Sequence, residues 1–217
     1  MSEAEVLVLG RWRVGTPERQ AAAIDASLAA WNTVGWPPGM ASYTAIAAED
    51  ETSVLHLSRW REARAARGFT AEAKHRWAAV VDEAVPGAQR LEVEGYRAYD
   101  GIHVADAAPG CLVLVDIDAD DSASARRWMD AMLALGRREE PARGMLSATF
   151  HLSVSGTRVL NVAEWSDAAS HQAMTTASRS AAADELVSGS AGARPVGFTR
   201  SSSWRTITST TPESARG

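Results

Sequence analysis

The chain is poor in several residue types that mark particular classes of protein. Cys111 is the only cysteine among 217 residues, which excludes an intrachain disulfide framework and a cysteine-based zinc site. No apolar run approaches the roughly 20 residues of a membrane span. The N-terminus, MSEAEVLVLG, lacks the basic and apolar regions of a signal peptide. We therefore expect a cytoplasmic protein with no membrane partner.

Clustered positive charge is also missing from the chain. The formal net charge is −5, and acidic and basic residues are interspersed. A nucleic-acid-binding surface would show clustered Lys and Arg, so we expect no nucleic-acid partner. The acidic cluster Asp116, Asp118, Asp120 and Asp121 lacks the glycine and the terminal glutamate of an EF-hand loop. We interpret it as a strand-to-helix turn and predict no metal site.

What the chain does contain is an internal repeat. Residues 39–60 and 144–165 align without a gap at an offset of 105 residues (144 − 39 = 105 and 165 − 60 = 105), and Gly, Met, Ser, Thr, Thr, Val, Leu and Trp recur at matching places. Such an echo indicates two copies of one folding unit. We place the units at residues 1–103 and 109–206, joined by a short linker near 101–109, and expect a disordered polar tail at 207–217.

Each copy is predicted to run strand, helix, strand, strand, helix, strand. Thr16-Pro17-Glu18 starts the first helix, because threonine caps a helix and proline fits its first position. Further predicted elements are a helical region 62–83 broken near Gly68 with Thr70 as a cap, a strand 90–99, a helix from Ser122 to about Gly136, a helix capped by Ser166 that runs to about Val187, and a last strand 195–206.

The order βαββαβ is that of the ferredoxin-like fold, so the predicted class is α+β. The antiparallel sheet of such a unit carries helices on one face, and its other apolar face must be covered. The second copy is the obvious cover. We therefore predict two tandem ferredoxin-like units that form an intramolecular dimeric α/β barrel around a shared interior.

Strand alternation singles out one polar position in each copy. Val159, Asn161, Ala163 and Trp165 point to the same side of their strand, and in the first copy His56 and Trp60 take the places of Asn161 and Trp165. Asparagine is disfavoured in strands, and a buried amide needs hydrogen-bond partners. A polar residue four positions before a tryptophan on one face therefore suggests the wall of a ligand cavity.

The element order and the strand ending VLNVAEWSD resemble the antibiotic biosynthesis monooxygenase family of dimeric α/β barrels. The resemblance covers about residues 4–206 as a tandem fusion of two units. It implies a monooxygenase that oxidises a polyketide-like anthrone or hydroquinone with O2, without flavin, haem or metal. Its partners would be a small aromatic substrate and O2. Family members are usually single units that dimerise, and a homodimer of this chain stays open as well, because a fused pair could still dimerise through helices or strand edges.

The N-x-x-x-W spacing of the anthrone-oxidising members matches Asn161 and Trp165, and Trp60 matches the tryptophan while His56 replaces the asparagine. The resemblance therefore implies catalytic roles for Asn161 as a donor to the developing oxyanion and for Trp165 as a stacking surface. His56, whose imidazole titrates near neutrality, would transfer a proton. Trp60, Tyr43 and Phe150 are the further candidates, for substrate binding.

Other interpretations of these residues stay open at this stage. The repeated tryptophans are equally consistent with core packing, Asn161 with a bond to a neighbouring strand, and His56 with a satisfied core histidine. His171, on the helix after Trp165, is interpreted as a surface or packing residue. The alternative functions are a cyclase or isomerase that uses the same cavity without O2, and a non-catalytic binding or assembly module of the same fold.

Overall fold

The computed structural model describes residues 5–69, 71–177, 184–186 and 192–209. Its helices and strands follow in the order β1 (Val6–Arg13), α1 (Pro17–Val34), β2 (Met40–Ala47), β3 (Ser53–Trp60), α2 (Ala63–Gly68), α3 (Ala71–Ala84), β4 (Gln89–His103), β5 (Cys111–Ala119), α4 (Ser122–Arg138), β6 (Met145–Ser153), β7 (Arg158–Trp165), α5 (Ala168–Thr176), β8 (Ala193–Ser201) and β9 (Ser203–Thr208). The chain divides into two compact units.

The first unit contains the described residues of 1–95 and 203–217. Its strands lie in the order β4-β1-β3-β2-β9, and β3 pairs antiparallel with both β1 and β2. One face of this sheet is covered by α1 and α3, which bury a core rich in aromatic rings. The helix α1 starts as predicted, because the Thr16 hydroxyl accepts the Arg19 amide and Pro17 occupies the first turn.

The second unit contains the described residues of 96–202. Its strands lie in the order β8-β5-β7-β6, and Tyr96–His103 of β4 pairs with β6 at the edge. The helix α4 packs Trp128, Met129 and Leu133 against this sheet, and α5 contributes Ala168 and Met174 to a neighbouring apolar cluster. Asp121 caps α4 by accepting the Ser124 amide, so the acidic cluster is the helix start that the sequence indicates.

The offset of 105 residues extends far beyond the segment in which the sequence shows it. Strand and helix starts recur at 6 and 111, 17 and 122, 40 and 145, 53 and 158, and 63 and 168, each pair 105 apart. The same irregularity recurs as well, since β2 and β6 both shift register after their first residue. The predicted α+β class with two ferredoxin-like copies is therefore confirmed.

One strand extends beyond its predicted end. β4 continues to His103, so Asp100-Gly101 is part of a strand and is not a turn. The strand shifts register there, and a Cβ at Gly101 would lie 2.8 Å from the Ala148 carbonyl oxygen. Glycine inside a strand often marks such an irregularity or a close backbone approach. The linker is consequently shorter than the predicted 101–109.

The last predicted strand is two strands. β8 pairs with β5, and β9, which begins after Ser202, pairs with β2 of the first unit. The end of β9 at Thr208 falls inside the segment 207–217 that we predicted to be a disordered tail. The predicted units 1–103 and 109–206 divide the chain by the order of its elements. The compact units divide it differently, because β9 pairs with β2 of the first unit and Tyr96–His103 of β4 pairs with β6 of the second.

The start of α5 is capped by Asp167 instead of Ser166, because the aspartate carboxylate accepts the Ser170 amide at 2.7 Å. The two pieces of the helical region 62–83 are present as α2 and α3. Thr70 and most of the segment up to Val187 that follows α5 lie outside the described residues. Among the helices of the described part, none is long and apolar enough to cross a membrane.

A glycine with positive φ opens the repeated hairpin in both units. Gly39 and Gly144 both have φ of 84°, and their carbonyls accept the amides of Arg61 and Ser166. A Cβ at Gly144 would lie 2.6 Å from the Ser170 side chain, and one at Gly39 would lie 2.6 Å from the Ala65 Cβ. The repeated glycine therefore lets the following helix pack directly on the hairpin entrance.

We predict that Gly144→Ala destabilises the chain by about 3 kcal/mol, through the left-handed backbone and the clash with Ser170 together. Gly87→Ala is the matched control, since Gly87 also has a positive φ, of 76°, but a Cβ added there would have nothing within 4 Å. It should cost about 1 kcal/mol, the backbone cost alone. Urea unfolding midpoints measure both. Equal midpoints for the two variants would contradict the packing argument.

Candidate functional site

The strand register places His56 at the centre of the first unit's helix-covered face. His56 pairs with Gly10 on β1 and Ala45 on β2, and it is 6% exposed. A Cβ at Gly10 would lie 3.8 Å from the His56 Cβ, an ordinary contact distance, so the two residues are direct neighbours across the sheet. The imidazole contacts the rings of Trp12 and Trp77 edge-on at centroid distances of 4.6 and 5.7 Å.

His56 is held in a neutral form by these surroundings. Its Nδ1 lies 2.6 Å from the Tyr43 hydroxyl. Burial raises the pKa of Tyr43 well above its ordinary value, against an opposing hydrogen bond from Ser27, so the phenol stays protonated. We assign the bond as Tyr43 O–H donating to Nδ1. Burial first, and the positive charge of Arg90 second, lower the pKa of His56 from 6.5 to about 3.

These values argue against the predicted role of His56 as a proton acceptor near neutral pH. An imidazole with a pKa near 3 is a weak base, and its Nδ1 lone pair is already occupied. The second predicted residue of this unit, Trp60, is buried, and its Nε1 donates to the Ser58 hydroxyl at 2.8 Å. Tyr43, Trp31 and Trp77 fill the space around the imidazole. This unit therefore has the character of a packed aromatic core.

The equivalent place in the second unit is occupied by Asn161. The register aligns Phe150 on β6, Asn161 on β7, Val115 on β5 and Phe198 on β8 in one row across the sheet. Residues two positions away on β7, Val159 and Ala163, belong to the clusters under α4 and α5. The row therefore lies on the helix-covered face. We expected the cavity wall to face a shared interior between sheets, and the structure corrects this, because helices cover that face in each unit.

Two polar atoms on this face are buried without hydrogen bonds. Asn161 Oδ1 and Trp165 Nε1 have no partner within the described part of the chain. An unsatisfied buried polar group costs about 1–3 kcal/mol, so native proteins retain few of them. The first unit also has such atoms, Trp31 Nε1 and His56 Nε2. The pair on β7 differs because it comes from the two residues of the N-x-x-x-W motif.

The repeat explains how the second unit came to have this pair. In the first unit Tyr43 is the partner of His56, and Ser58 is the partner of Trp60. The residues 105 positions later are Ala148 and Ala163, which carry no polar group (43 + 105 = 148 and 58 + 105 = 163). Both internal partners are therefore replaced by alanine in the second unit, and a ligand can take their place.

The structure brings one further residue to this place, His171 on α5, which the sequence analysis interpreted as a surface or packing residue. His171 is 3% exposed, and its ring contacts the rings of Trp165 and Phe198 edge-on at 5.2 and 5.1 Å. It is therefore a buried residue beside the motif tryptophan and is not on the surface. The signal available in the sequence was its position one turn into the helix that directly follows Trp165.

Phe150, a predicted substrate-binding residue, pairs with Asn161 in the strand register, but its side chain packs in the hydrophobic core. It is 4% exposed, and its ring contacts Trp128 at 5.9 Å. Tyr43 and Trp60 lie in the first unit and do not join Asn161. The structure thus brings Asn161, Trp165, Phe150 and His171 together in one unit. In the described residues, no group of three or more His, Cys, Asp or Glu side chains is arranged to hold a metal ion.

Comparison with known proteins identifies the fold. No protein-family profile and no curated protein sequence matches the chain. Among solved structures, an anthrone oxidase-like protein superposes with a TM-score of 0.67 at 15% identity, over 94% of each chain. The chain shares its fold with this protein.

Two further structures of the same fold show how broad the likeness is. A protein described as a "putative monooxygenase" from Lactobacillus acidophilus has a TM-score of 0.58 at 9% identity, over 94% of this chain and 97% of that one. A protein described as a "Putative Chlorite dismutase" has a TM-score of 0.56 at 10% identity, over 92% and 94%. The likeness in fold therefore extends over nearly the whole chain, and at these identities it concerns the fold alone.

We predict that His56 makes stability depend on pH below neutrality. Its folded-state pKa of about 3 lies below the unfolded value of 6.5, so between these values the unfolded chain binds a proton that the native chain does not. Stability should fall as the pH falls through this window, by up to about 1.4 kcal/mol per pH unit from this residue. His56→Gln should flatten the slope of unfolding free energy against pH.

The exposed His75 supplies the control for that measurement. Urea unfolding between pH 7 and pH 4 should give the wild-type slope for His75→Gln and a shallower slope for His56→Gln. The slope of unfolding free energy against pH is the quantity to compare. Loss of the Tyr43 hydrogen bond would lower the unfolding free energy equally at every pH and would leave this slope unchanged. Identical slopes for the two variants would refute the neutral buried state of His56.

We also predict opposite effects of two matched hydroxyl exchanges. Ser58→Ala removes the partner of the Trp60 N–H and should lower stability by about 1 kcal/mol. Ala163→Ser places a hydroxyl in the same relation to Trp165 and should raise stability by about 1 kcal/mol. Chemical denaturation measures both. A destabilised Ala163→Ser variant with an unchanged fold would mean that the Trp165 N–H already has a partner.

Proposed function

We propose that the chain is a monooxygenase that oxidises an anthrone- or hydroquinone-like aromatic with O2 in its second unit, without a bound cofactor. The observation that carries this proposal is the pair of buried atoms Asn161 Oδ1 and Trp165 Nε1 on one face of β7, which have no partner among the described residues. The likeness in fold to an anthrone oxidase-like protein supports the same reaction class. The proposed partners are the small aromatic substrate and O2.

The two atoms define what the substrate must present. Asn161 Oδ1 is an acceptor and calls for a substrate O–H, whereas the Trp165 N–H is a donor and calls for a carbonyl or phenolate oxygen. This differs from the role expected for Asn161 from the sequence, where it was the donor. A planar phenol with a second oxygen on its ring system offers both groups, and the flanking Phe150 and Val115 offer apolar contact.

The reaction balances without an added reductant. Loss of a proton from an anthrone CH2 gives an anion, which passes one electron to O2 and then combines with the superoxide formed. The peroxide anion takes back the proton that the CH2 lost, and the hydroperoxide then loses water to leave the ketone, so the substrate CH2 and O2 become C=O and H2O. The protein must hold the oxyanion, accept the first proton and exclude water.

Three residues of the second unit divide these tasks in the proposal. The Trp165 N–H donates to the oxygen on which negative charge develops, in a water-poor setting that strengthens the bond. Asn161 orients the substrate through its hydroxyl. His171, whose ring contacts Trp165, accepts the proton from the substrate carbon. The first unit, whose corresponding atoms bond to Tyr43 and Ser58, is a structural partner.

We predict that Trp165→Phe lowers the rate of O2 uptake with 1,8-dihydroxyanthrone by about 100-fold, because it removes the oxyanion donor while keeping an aromatic ring. Asn161→Leu should lower kcat/KM by about 10-fold, the effect of one neutral hydrogen bond. The measurement uses an oxygen electrode, gel-filtered protein and EDTA, and it subtracts the uncatalysed oxidation. Wild-type activity should survive the chelator.

Trp60→Phe is the matched substitution 105 residues earlier, and it should reduce the rate much less than Trp165→Phe, since the Trp60 N–H bonds to Ser58. His75→Gln, on the exposed side of α3, should leave the rate unchanged. Full activity of Trp165→Phe would refute the site. Turnover of the substrate without O2 uptake would indicate the cyclase or isomerase alternative, and binding without turnover would indicate a non-catalytic module.

A further inference from the structure

A second place in the molecule has the form of a binding site, and it lies in the first unit, away from Asn161. It is a groove of about 710 Å³ between the α1–β2 connection and α2, lined by residues 34–39 and by Arg61, Glu62, Arg64, Ala65 and Phe69, among others. This volume falls within the range of small-molecule sites. None of the predicted site residues His56, Tyr43 and Trp60 lines it.

Contacts with the hydrophobic core hold the two aromatic side chains that line the groove, Trp36 and Phe69. The Trp36 Nε1 donates to the Met40 carbonyl at 2.7 Å, and its ring contacts Trp31 at 5.9 Å. Phe69 contacts both Trp31 and Trp60 at 5.8 Å. Two aromatic side chains that line the groove are thus held by the core, and Pro37-Pro38 stiffens the connection beside them. A ligand that stacks here would meet a preformed surface.

The charges around the groove are positive on balance, and Lys74 Nζ lies 5.9 Å from the centroid of the Phe69 ring. Arg64 forms an ion pair with Glu62. Arg61 also lines the groove, its backbone amide is bonded to the Gly39 carbonyl, and no carboxylate lies within ion-pairing distance of its guanidinium among the described residues. Because the charges of Arg64 and Glu62 cancel, Arg61 and the nearby Lys74 give this apolar, aromatic groove a net positive charge.

We propose that this groove binds a planar aromatic carboxylate as a monoanion. The ring system lies against Trp36 and Phe69, and the carboxylate pairs with Arg61, whose planar guanidinium can bond both of its oxygens. The site is independent of the proposed oxidation in the second unit, since it shares no residue with Asn161, Trp165 or His171.

The test uses 2-naphthoate as the probe and its neutral amide, 2-naphthamide, as the matched compound, with binding to the full chain followed by calorimetry. The wild type should bind the acid about fivefold more tightly than the amide, the effect of one partly exposed ion pair. Arg61→Gln should abolish this preference while leaving the affinity for the amide unchanged. Ala73→Leu, which fills part of the groove, should weaken both compounds.

Two variants locate the binding. Arg67→Gln removes a positive charge from α2 at a position that does not line the groove, and it should retain the wild-type preference. Asn161→Leu should also retain it, whatever its effect on O2 uptake. The proposal is overturned if wild type does not bind the acid, if it binds acid and amide equally, if Arg61→Gln keeps the preference, or if Asn161→Leu abolishes binding.

Discussion

The antiparallel register of the two central strands is the constraint on which the rest of the structure depends. β3 is held between β1 and β2, and β7 is held between β5 and β6, with the same partners at an offset of 105 residues. A slip of one residue would turn His56 or Asn161 to the opposite face. The register therefore decides that both residues meet helices, and it decides which side chains surround them.

The two units share this strand register but differ in the hydrogen bonding of the motif residues. In the first unit His56 Nδ1 bonds to Tyr43 and Trp60 Nε1 bonds to Ser58 inside a dense group of aromatic rings, and only His56 Nε2 of these two motif residues has no hydrogen bond. In the second unit alanines occupy the positions of those partners, and Asn161 Oδ1 and Trp165 Nε1 have no hydrogen bond within the described residues. Leaving such atoms buried costs stability, a cost that functional sites often carry.

The sequence predicted much of the fold because the repeat and the hydrophobic periodicity are local signals. Capping residues predict the helix starts at Thr16 and at the acidic cluster. Glycine predicts the break between α2 and α3. The pairing of β9 with β2 and the extension of β4 to His103 could not be predicted in this way. Both depend on which sheet edge offers free backbone groups, and a strand's own residues do not specify its neighbour.

For the candidate site, the sequence by itself determined that one polar position in each copy lies four residues before a tryptophan on one strand face. Only the tertiary structure decided what that position does. Whether His56 is a base depends on burial, on Arg90 and on the Tyr43 hydroxyl, which come from other elements. Whether Asn161 can meet a ligand depends on which side chains the neighbouring strands place beside it. Protonation and hydrogen bonding are set by neighbours in space, which the spacing along one strand does not reveal.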